Sequence, residues 1–164
     1  MKPEKTNAMR MLDKQKVPYE VLIYQTDDGE IDGISVASKI GKAPEYVYKT
    51  LVAQGSGSKG YYVFVIPVQC ELDLKKAAKT TKEKKIELIA VKDLLQVTGY
   101  IRGGCSPVGM KKRYPVFIDQ QANELDQIII SAGKVGLQME VNTSKLIQVT
   151  DGSLSELCKE TEDM

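Results

Sequence analysis

Short strand-like and helix-like segments follow one another along this chain without the regular strand–helix–strand alternation that builds a parallel sheet. The clearest are two apolar runs, residues 49–54 and 61–68, which the flexible segment GSGSKG (55–60) joins as a hairpin. No run reaches the ~18 apolar residues that a membrane span requires. The order of segments therefore predicts an α+β fold, with a mixed, mostly antiparallel, barrel-like sheet and short flanking helices.

The remaining elements are predicted from capping residues, turn residues and apolar patterning. Thr6 and Asp73 are placed to cap helices, and Asn142 or Thr143 caps a third. Helices are predicted over 7–16, 35–40, 44–47, 74–79, 91–97, 121–125 and from 142 or 143 to 147, and strands over 19–25, 86–89, 115–118, 127–131 and 137–141. Residues 1–164 are predicted to form one domain, whose acidic end, 156–164, is expected to fray.

Histidine is absent from all 164 residues, and this absence restricts the chemistry that the chain could perform. A Ser-His or Cys-His nucleophile is excluded. Three scattered cysteines, Cys70, Cys105 and Cys158, provide neither an ordinary zinc site nor a disulfide framework. Catalysis would depend on lysine, carboxylate, tyrosine, main-chain amides, water or the substrate itself, and we expect neither a metal nor a cofactor.

The formal net charge is only +1, so a nucleic-acid partner would require a local patch of positive charge. Two such clusters occur, KKAAKTTKEKK at 75–85 and KKR at 111–113. Each is equally consistent with a solvated face. The charged amino-terminal segment lacks the apolar stretch of a signal peptide, so we expect a cytoplasmic location and no membrane.

Four glycines and a proline lie within the segment GYIRGGCSPVGM, residues 99–110. Gly103 and Gly104 let the main chain approach a ligand and present N–H groups, which could bind a phosphate or stabilise an oxyanion. A sharp corner in the sheet explains the same glycines, and on spacing alone this alternative is favoured. Cys105 is the thiol with the most suggestive neighbours, whereas Ser106 lacks the histidine base that would make it a nucleophile.

Three further side chains are candidates for ligand binding, each with a structural alternative. Lys49 lies where a helix meets an apolar strand, and its ammonium could hold a phosphate or a carbonyl oxygen unless it only snorkels at the strand end. Lys134 has a similar setting in SAGKVG, a second glycine-bearing turn that ends at Gly136. Tyr24 could reach a ligand through its hydroxyl, although a half-buried strand tyrosine is the ordinary interpretation.

Four segments together resemble the YbaK/EbsC family of Cys-tRNA(Pro) deacylases: VYKTLV (47–52), DLKKAAK (73–79), TGYIRGGCSPVGMKK (98–112) and SAGKVG (131–136). The resemblance extends in order over nearly the whole chain. It implies the fold of the editing domain that is inserted in some prolyl-tRNA synthetases. It also implies an activity, the hydrolysis of the ester that joins cysteine to the 3′ end of tRNA(Pro).

The resemblance also implies roles for individual residues. Lys49 matches the family lysine that is thought to hold the phosphate of the terminal adenosine, and Tyr24 matches a pocket tyrosine. Gly103 and Pro107 match a GxxxP turn whose amides contact the substrate carbonyl. The residues between them, Gly104, Cys105 and Ser106, and the second turn with Lys134 and Gly136 are expected to contact the substrate as well.

One position departs from the family pattern, because Gln138 stands where some members carry an aspartate after the second turn. The change removes a formal negative charge and could alter the amino acid preference or the rate. In this family the substrate's own sulfur is thought to attack the ester carbonyl and to release a thiolactone, which agrees with the missing histidine. An ordered water would replace the thiol for other amino acids.

The partner implied by the resemblance is the aminoacylated 3′ end of tRNA, with prolyl-tRNA synthetase as a second partner in some members. The alternative function is a non-catalytic module that binds a tRNA end or a synthetase. The intact glycine turn and Lys49 favour the enzyme. The sequence specifies neither the preferred amino acid nor the oligomeric state.

Overall fold

The described part of the chain forms a mixed α+β structure in which two β-sheets are flanked by five α-helices. The structure is a computed structural model that describes residues 4–160. The α+β class predicted from the sequence is confirmed. Within those residues, none of the helices has the length and apolar character needed to cross a membrane.

The helices and strands lie close to their predicted positions. The α-helices are α1 (Asn7–Lys14), α2 (Gly33–Lys39), α3 (Leu74–Thr81), α4 (Val91–Thr98) and α5 (Thr143–Thr150). The strands are β1 (Tyr19–Ile23), β2 (Tyr48–Gly55), β3 (Tyr61–Pro67), β4 (Ile86–Leu88), β5 (Val116–Asp119), β6 (Gln127–Lys134), β7 (Leu137–Asn142) and β8 (Ser153–Ser155). The segments predicted as helices near 44 and 121 are short 3-10 helices, Pro44–Tyr46 and Gln120–Glu124, and β8 has no counterpart in the prediction.

Side-chain caps fix the starts of α1, α3 and α5, and the Asp32 carboxylate caps α2 in the same way. Thr6, Asp73 and Asn142 each accept hydrogen bonds from main-chain amides in the first turns of α1, α3 and α5. These amides have no acceptor inside the helix, so a cap stabilises the helix by about 1 kcal/mol. The predicted caps at Thr6 and Asp73 are confirmed, and of the two residues proposed for α5 it is Asn142 that caps.

The strands divide into two open sheets rather than one closed barrel. One sheet has the antiparallel order β1-β7-β6, and the other has the order β4-β2-β3-β5-β8. In the second sheet β5 runs parallel to both β3 and β8. An isolated bridge between Val47 and Ile129 links the sheets just before β2 begins. The strands therefore form two sheets and not the predicted barrel-like sheet. Within residues 4–160, this parallel bridge does not extend into a continuous ladder that would join them.

The central strand of the five-stranded sheet, β3, is buried on both of its faces along most of its length. Val63 and Val65 of β3 pack toward the three-stranded sheet, whereas Phe64 and Ile66 pack toward α3. A strand that is covered on both sides needs apolar residues at every position rather than at alternate ones. This accounts for the continuous apolar run in β3, which ends at Pro67, where a missing amide is tolerated.

The β2–β3 hairpin is held by a carboxylate from outside it. Glu83, which follows α3, accepts hydrogen bonds from the hydroxyl and amide of Ser58, from the Tyr62 hydroxyl at 2.6 Å and from the Gly57 amide. These donors, the Ser58 hydroxyl first, lower the pKa of Glu83 to about 2. The flexible GSGSKG segment is therefore ordered by an ionised side chain.

The segment after β8 is held against the second sheet as far as it is described. The main chain of Leu157 accepts a hydrogen bond from the Asp73 amide at 2.8 Å, and Cys158 bridges to Leu72. Leu157 is fully buried. Residues 156–160, predicted to fray, are thus tethered, and the remainder of the predicted tail, 161–164, lies outside the described residues.

Candidate active site

A cavity of about 110 Å³ opens where the ends of several elements converge. Its walls come from the end of β1, the start of α2, the start of β2, the glycine-rich segment after α4 and the β6–β7 hairpin. The predicted residues that line it are Tyr24, Lys49, Gly103, Cys105 and Gln138. The volume is well below the ~300–1,000 Å³ of a drug-sized pocket, so the cavity suits a small chemical group at the end of a larger ligand.

The glycine-rich segment is fixed by hydrogen bonds to its own side chains. The Tyr100 hydroxyl donates to the Val108 carbonyl at 2.6 Å, and the Thr98 hydroxyl accepts from the Tyr100 amide at 3.0 Å. The Gly104 amide donates to the Ile101 carbonyl at 2.9 Å. The segment is therefore a rigid turn whose conformation is set before any ligand arrives.

Each of the two central glycines is required for a different reason. Gly103 has φ +85°, a left-handed conformation that other residues rarely adopt. At Gly104 a Cβ atom would lie 2.9 Å from the amide nitrogen of Val135 and 3.0 Å from the Lys134 main chain. The glycine turn and the β6–β7 turn thus pack main chain against main chain. Both of the interpretations left open by the sequence hold, because the segment is a tight corner and also forms a wall of the cavity.

Main-chain donors are available in this wall. The amides of Gly103 and Cys105 donate no hydrogen bond to any other residue in the range 4–160, and both residues line the cavity. A buried amide without an acceptor costs about 1–3 kcal/mol, so such groups are normally satisfied by water or by a ligand. Main-chain donors in the wall of a cavity are groups that can stabilise an oxyanion.

The Cys105 thiol is a neutral part of the wall. Its residue is only 8% exposed. Burial raises the pKa of this thiol to about 12, and the Thr98 hydroxyl only partly opposes the shift. Because the thiolate is the nucleophilic form, Cys105 does not provide a nucleophile at neutral pH.

Lys49 contributes the cationic side chain of the cavity. It is the second residue of β2 and is half-buried. Within the described part of the chain it forms no salt bridge and no side-chain hydrogen bond. An ammonium that lines a cavity without a protein anion is suited to bind an anionic or carbonyl oxygen of a ligand.

Buried hydroxyl groups of residues in the cavity lining also lack partners among the described residues. The hydroxyls of Tyr24 and Thr50 are buried and make no hydrogen bond within the described residues. Both residues line the cavity. The main chain holds Tyr24 in place, because its amide donates to the Gly136 carbonyl at 3.0 Å and so continues the β1–β7 pairing. A polar group buried without a partner is unfavourable, and a bound ligand would remove that penalty.

One lysine orders the loop that covers the cavity. The ammonium of Lys39, on α2, donates to the Gln25 carbonyl at 2.7 Å, to the Asp28 carboxylate at 2.7 Å and to the Glu30 carbonyl at 2.9 Å. These contacts tie the loop between β1 and α2 to the helix. The loop then places Ile31 against Gly103 in the wall.

Two paired residues of the β6–β7 hairpin form a further part of the wall. Ser131 and Gln138 face each other in the register, and both are buried. The Ser131 hydroxyl accepts from the Gly133 amide at 3.1 Å, which leaves its proton free to donate. Gln138 adds a neutral amide, so within residues 4–160 no carboxylate side chain belongs to the cavity lining.

The other predicted site residues surround the cavity without lining it. Gly104 supports the turn from behind, and the Ser106 hydroxyl accepts from the Val108 amide at 3.3 Å. Pro107 is buried beside a second cavity, and Lys134 and Gly136 belong to the β6–β7 turn. Direct substrate contact by these five residues stays a prediction. Sequence reasoning missed Thr50, Ser131 and Ile31, although Thr50 follows Lys49 in the quoted VYKTLV and Ser131 begins the quoted SAGKVG.

Comparison with known proteins identifies the family of this fold and cavity. The model of the aminoacyl-tRNA editing domain matches residues 32–149. The chain belongs to the aminoacyl-tRNA editing domain family. The matched range contains Lys49, the glycine turn and Gln138, whereas Tyr24 precedes it. The resemblance stated from the sequence motifs is thereby confirmed.

Relatives of this editing-domain chain agree with the assignment. It is 44% identical over 154 residues to EbsC of Enterococcus faecalis, which is named as a candidate Cys-tRNA(Pro)/Cys-tRNA(Cys) deacylase, and the match covers 94% of this chain and 93% of that protein. A crystal structure of a candidate trans-editing enzyme for prolyl-tRNA synthetase superposes with a TM-score of 0.81 at 20% identity, covering 96% of this chain and all of the other. The crystal structure of a hypothetical protein gives a TM-score of 0.85 at 18% identity, with 94% and 100% covered. These two structures confirm the fold.

Proposed function

We propose that this chain hydrolyses the ester bond of mischarged aminoacyl-tRNA, with Cys-tRNA(Pro) as its principal substrate. The observation that carries the proposal is the cavity itself. Within residues 4–160, its lining includes Lys49 without a protein anion, the amides of Gly103 and Cys105 without acceptors, and the hydroxyls of Tyr24 and Thr50 without partners. The space fits one small amino acid. Membership of the editing-domain family and the 44% identity to EbsC support the same substrate class.

The lining residues have distinct roles in this proposal. The Lys49 ammonium binds a phosphate oxygen of the terminal adenosine and so holds the 3′ end at the cavity. The amides of Gly103 and Cys105 donate to the ester carbonyl oxygen, where negative charge develops as the carbonyl carbon is attacked. The hydroxyls of Tyr24 and Thr50 bind the remaining polar groups of the aminoacyl ribose.

The nucleophile comes from the substrate or from water. The chain has no histidine, and the Cys105 thiol is neutral at physiological pH. With Cys-tRNA(Pro), the substrate sulfur attacks its own carbonyl carbon, the bond from that carbon to the ribose oxygen breaks, and the ribose oxygen takes up the thiol proton. The products are a cyclic thiolactone and a deacylated tRNA. The protein contributes orientation and electrostatic stabilisation.

Gln138 makes the amino acid end of the cavity uncharged. A carboxylate at this position would attract the α-ammonium of the substrate, whereas an amide offers only a neutral acceptor. We therefore propose that this chain holds the α-ammonium less tightly than relatives with aspartate here, and that it selects mainly by the size of the side chain.

Residues 1–164 act as one editing domain in this proposal, in the cytoplasm, where aminoacyl-tRNA is used. The net charge of +1 provides little general affinity for a polyanion, so tRNA selectivity would be improved by a complex with prolyl-tRNA synthetase. The description of one structural neighbour as a candidate trans-editing enzyme for that synthetase supports this partner.

The test is hydrolysis on a panel of substrates. Purified protein is mixed with Cys-tRNA(Pro), Cys-tRNA(Cys) and Ala-tRNA(Pro), and loss of the ester is followed against buffer. We expect accelerated loss with the cysteinyl substrates and slower loss with the alanyl one, which has no thiol. Tight binding of the charged tRNA without acceleration on any substrate would instead establish the non-catalytic module.

A further inference from the structure

Two thiols meet at a site that lies outside the candidate active site. Cys70 follows β3, and Cys158 lies in the segment after β8. The side-chain amide nitrogen of Gln121 lies 3.8 Å from the Cys70 sulfur and 3.5 Å from the Cys158 sulfur. A single donor that reaches both sulfurs holds them in one cluster, although 87 residues separate them along the chain.

The main chain keeps the two cysteines in register. Leu72 and Cys158 form an antiparallel bridge, and the Lys159 amide donates to the Glu71 carbonyl at 2.9 Å. Cys70 lies at a bend two residues before Leu72, so the bridge brings it near Cys158. The two thiols are close enough for Cys70 to contribute to the raised pKa of Cys158.

The surroundings of the thiols are more polar than a core position requires. Asp119, which is 1% exposed, accepts hydrogen bonds from the amides of Gln121 and Leu157. Burial raises the pKa of Tyr48, whose hydroxyl is buried nearby. The Asp119 carboxylate and the two thiols lie close enough to raise this pKa further. The thiols also pack against the apolar cluster of the second sheet, so they lie where polar and apolar groups meet.

The two thiols differ in access. Cys70 is half-buried, Cys158 is 9% exposed, and both border an open cavity of about 730 Å³. Burial, and next the neighbouring Cys70 thiol, raise the pKa of Cys158, so Cys158 is the less reactive thiol until Cys70 is held beside it as a mixed disulfide. Reagents from solution would reach Cys70 first. No group of three or more potential ligand side chains suitable for a metal ion occurs among residues 4–160, so a metal does not account for the pair.

We propose that Cys70 and Cys158 form a reversible internal disulfide by exchange with a low-molecular-weight disulfide. The Cys70 sulfur attacks the reagent, forms a mixed disulfide and releases one thiol, whose proton comes from Cys70. The Cys158 sulfur then attacks the Cys70 sulfur, loses its own proton and releases the second thiol. Two protein thiols are oxidised and one reagent disulfide is reduced, so the exchange is balanced.

The disulfide would fasten the end of the chain to the second sheet. It encloses residues 71–157, and a long enclosed loop restricts the unfolded chain strongly. We therefore expect the oxidised protein to melt at a higher temperature than the reduced protein. Dithiothreitol should reverse both the bond and the shift in melting temperature, as expected of a labile disulfide in a reducing compartment.

The experiment uses the full chain and oxidised glutathione. After incubation, free thiols are alkylated, and intact mass and peptide mapping report the state of each cysteine. We expect the wild type to lose two hydrogens, to yield a linked peptide pair containing Cys70 and Cys158, and to keep one alkylated thiol at Cys105. Cys105→Ala is the matched control and should form the same link.

Two further variants separate the steps. Cys158→Ala should stop at a stable glutathione adduct on Cys70, and Cys70→Ala should take up almost no glutathione, because Cys158 is shielded. The proposal is overturned if the wild type stays fully reduced, ends as the glutathione adduct, or forms disulfide-linked dimers. The wild-type peptide map decides these outcomes by itself, whether or not the variants fold.

Discussion

Replacing Gly103 by alanine tests the proposed oxyanion donors against a matched control. Gly103 has φ +85°, and Gly41, which follows α2, has φ +69°. Alanine at either position adopts a left-handed conformation that costs about 1–2 kcal/mol. Gly41 has open space around its Cβ position, whereas at Gly103 a Cβ atom would lie 2.9 Å from Cδ1 of Ile31 and 3.3 Å from Cγ2 of Val135.

The two variants should differ in activity and not in stability. The atom that obstructs the new methyl group most closely is the flexible end of Ile31, which can move at little cost. For a chain of this length, 1–2 kcal/mol corresponds to a fall in melting temperature of about 2–8 °C, and we expect this for both variants by circular dichroism. Gly103→Ala alone places a methyl group in the cavity wall beside the proposed amide donor. Where this methyl group keeps the substrate oxygen from the donor, kcat should fall by about 100-fold or more.

The assay is single-turnover deacylation of Cys-tRNA(Pro) at 25 °C, at which both variants should be folded. Gly41→Ala should retain the wild-type rate. The reasoning is refuted if Gly103→Ala, shown to be folded, deacylates as fast as Gly41→Ala. Equal losses of activity in both variants would show that the effect comes from reduced stability, and would count against the main-chain donors in the mechanism.

Three further predictions follow from single groups. Tyr24→Phe removes a buried hydroxyl that has no partner within the described residues. In urea unfolding, the free protein should be unchanged or up to about 1 kcal/mol more stable, while KM for the charged tRNA should rise. A loss of stability with an unchanged KM would contradict this. Cys105→Ala should keep most of the deacylase activity, because a thiol with a pKa of about 12 is not a nucleophile; complete inactivation of the folded variant would refute it. Glu83 has its pKa lowered to about 2, so its stabilising effect is fully present above about pH 4.5 and is lost as the pH falls toward 2. Glu83→Gln should therefore reduce stability at pH 7 and weaken its decline in acid, as measured by unfolding at a series of pH values, and an unaltered pH profile would count against this role.

The local elements could be predicted because their signals are local. Thr6 and Asp73 are caps that act on amides within three residues, and the GSGSKG loop lies directly between the strands that it joins. The arrangement of the sheets could not be predicted in the same way. The bridge from Val47 to Ile129 and the parallel pairing of β5 connect residues that are far apart in the chain, and β8 is a short edge strand without an apolar pattern.

In the candidate site too, local motifs could be recognised in the sequence and long-range contacts could not. Gly103 and Lys49 were found through motifs, and the structure brings both to one cavity. Thr50 was missed because a threonine is ordinary in a strand, and only the absence of a partner for its buried hydroxyl distinguishes it. Ile31 reaches the cavity through the loop that Lys39 holds in place, a contact with no counterpart in the sequence pattern.

The most direct measurement of the central idea compares two lysine variants that lose the same charge. Lys49 lines the cavity, and Lys145 is exposed on α5. In single-turnover deacylation of Cys-tRNA(Pro), we expect Lys49→Ala to remove most of the acceleration over buffer while its circular dichroism spectrum matches the wild type, and Lys145→Ala to react at the wild-type rate. A folded Lys49→Ala variant that deacylates as fast as Lys145→Ala would show that the reaction does not take place in this cavity.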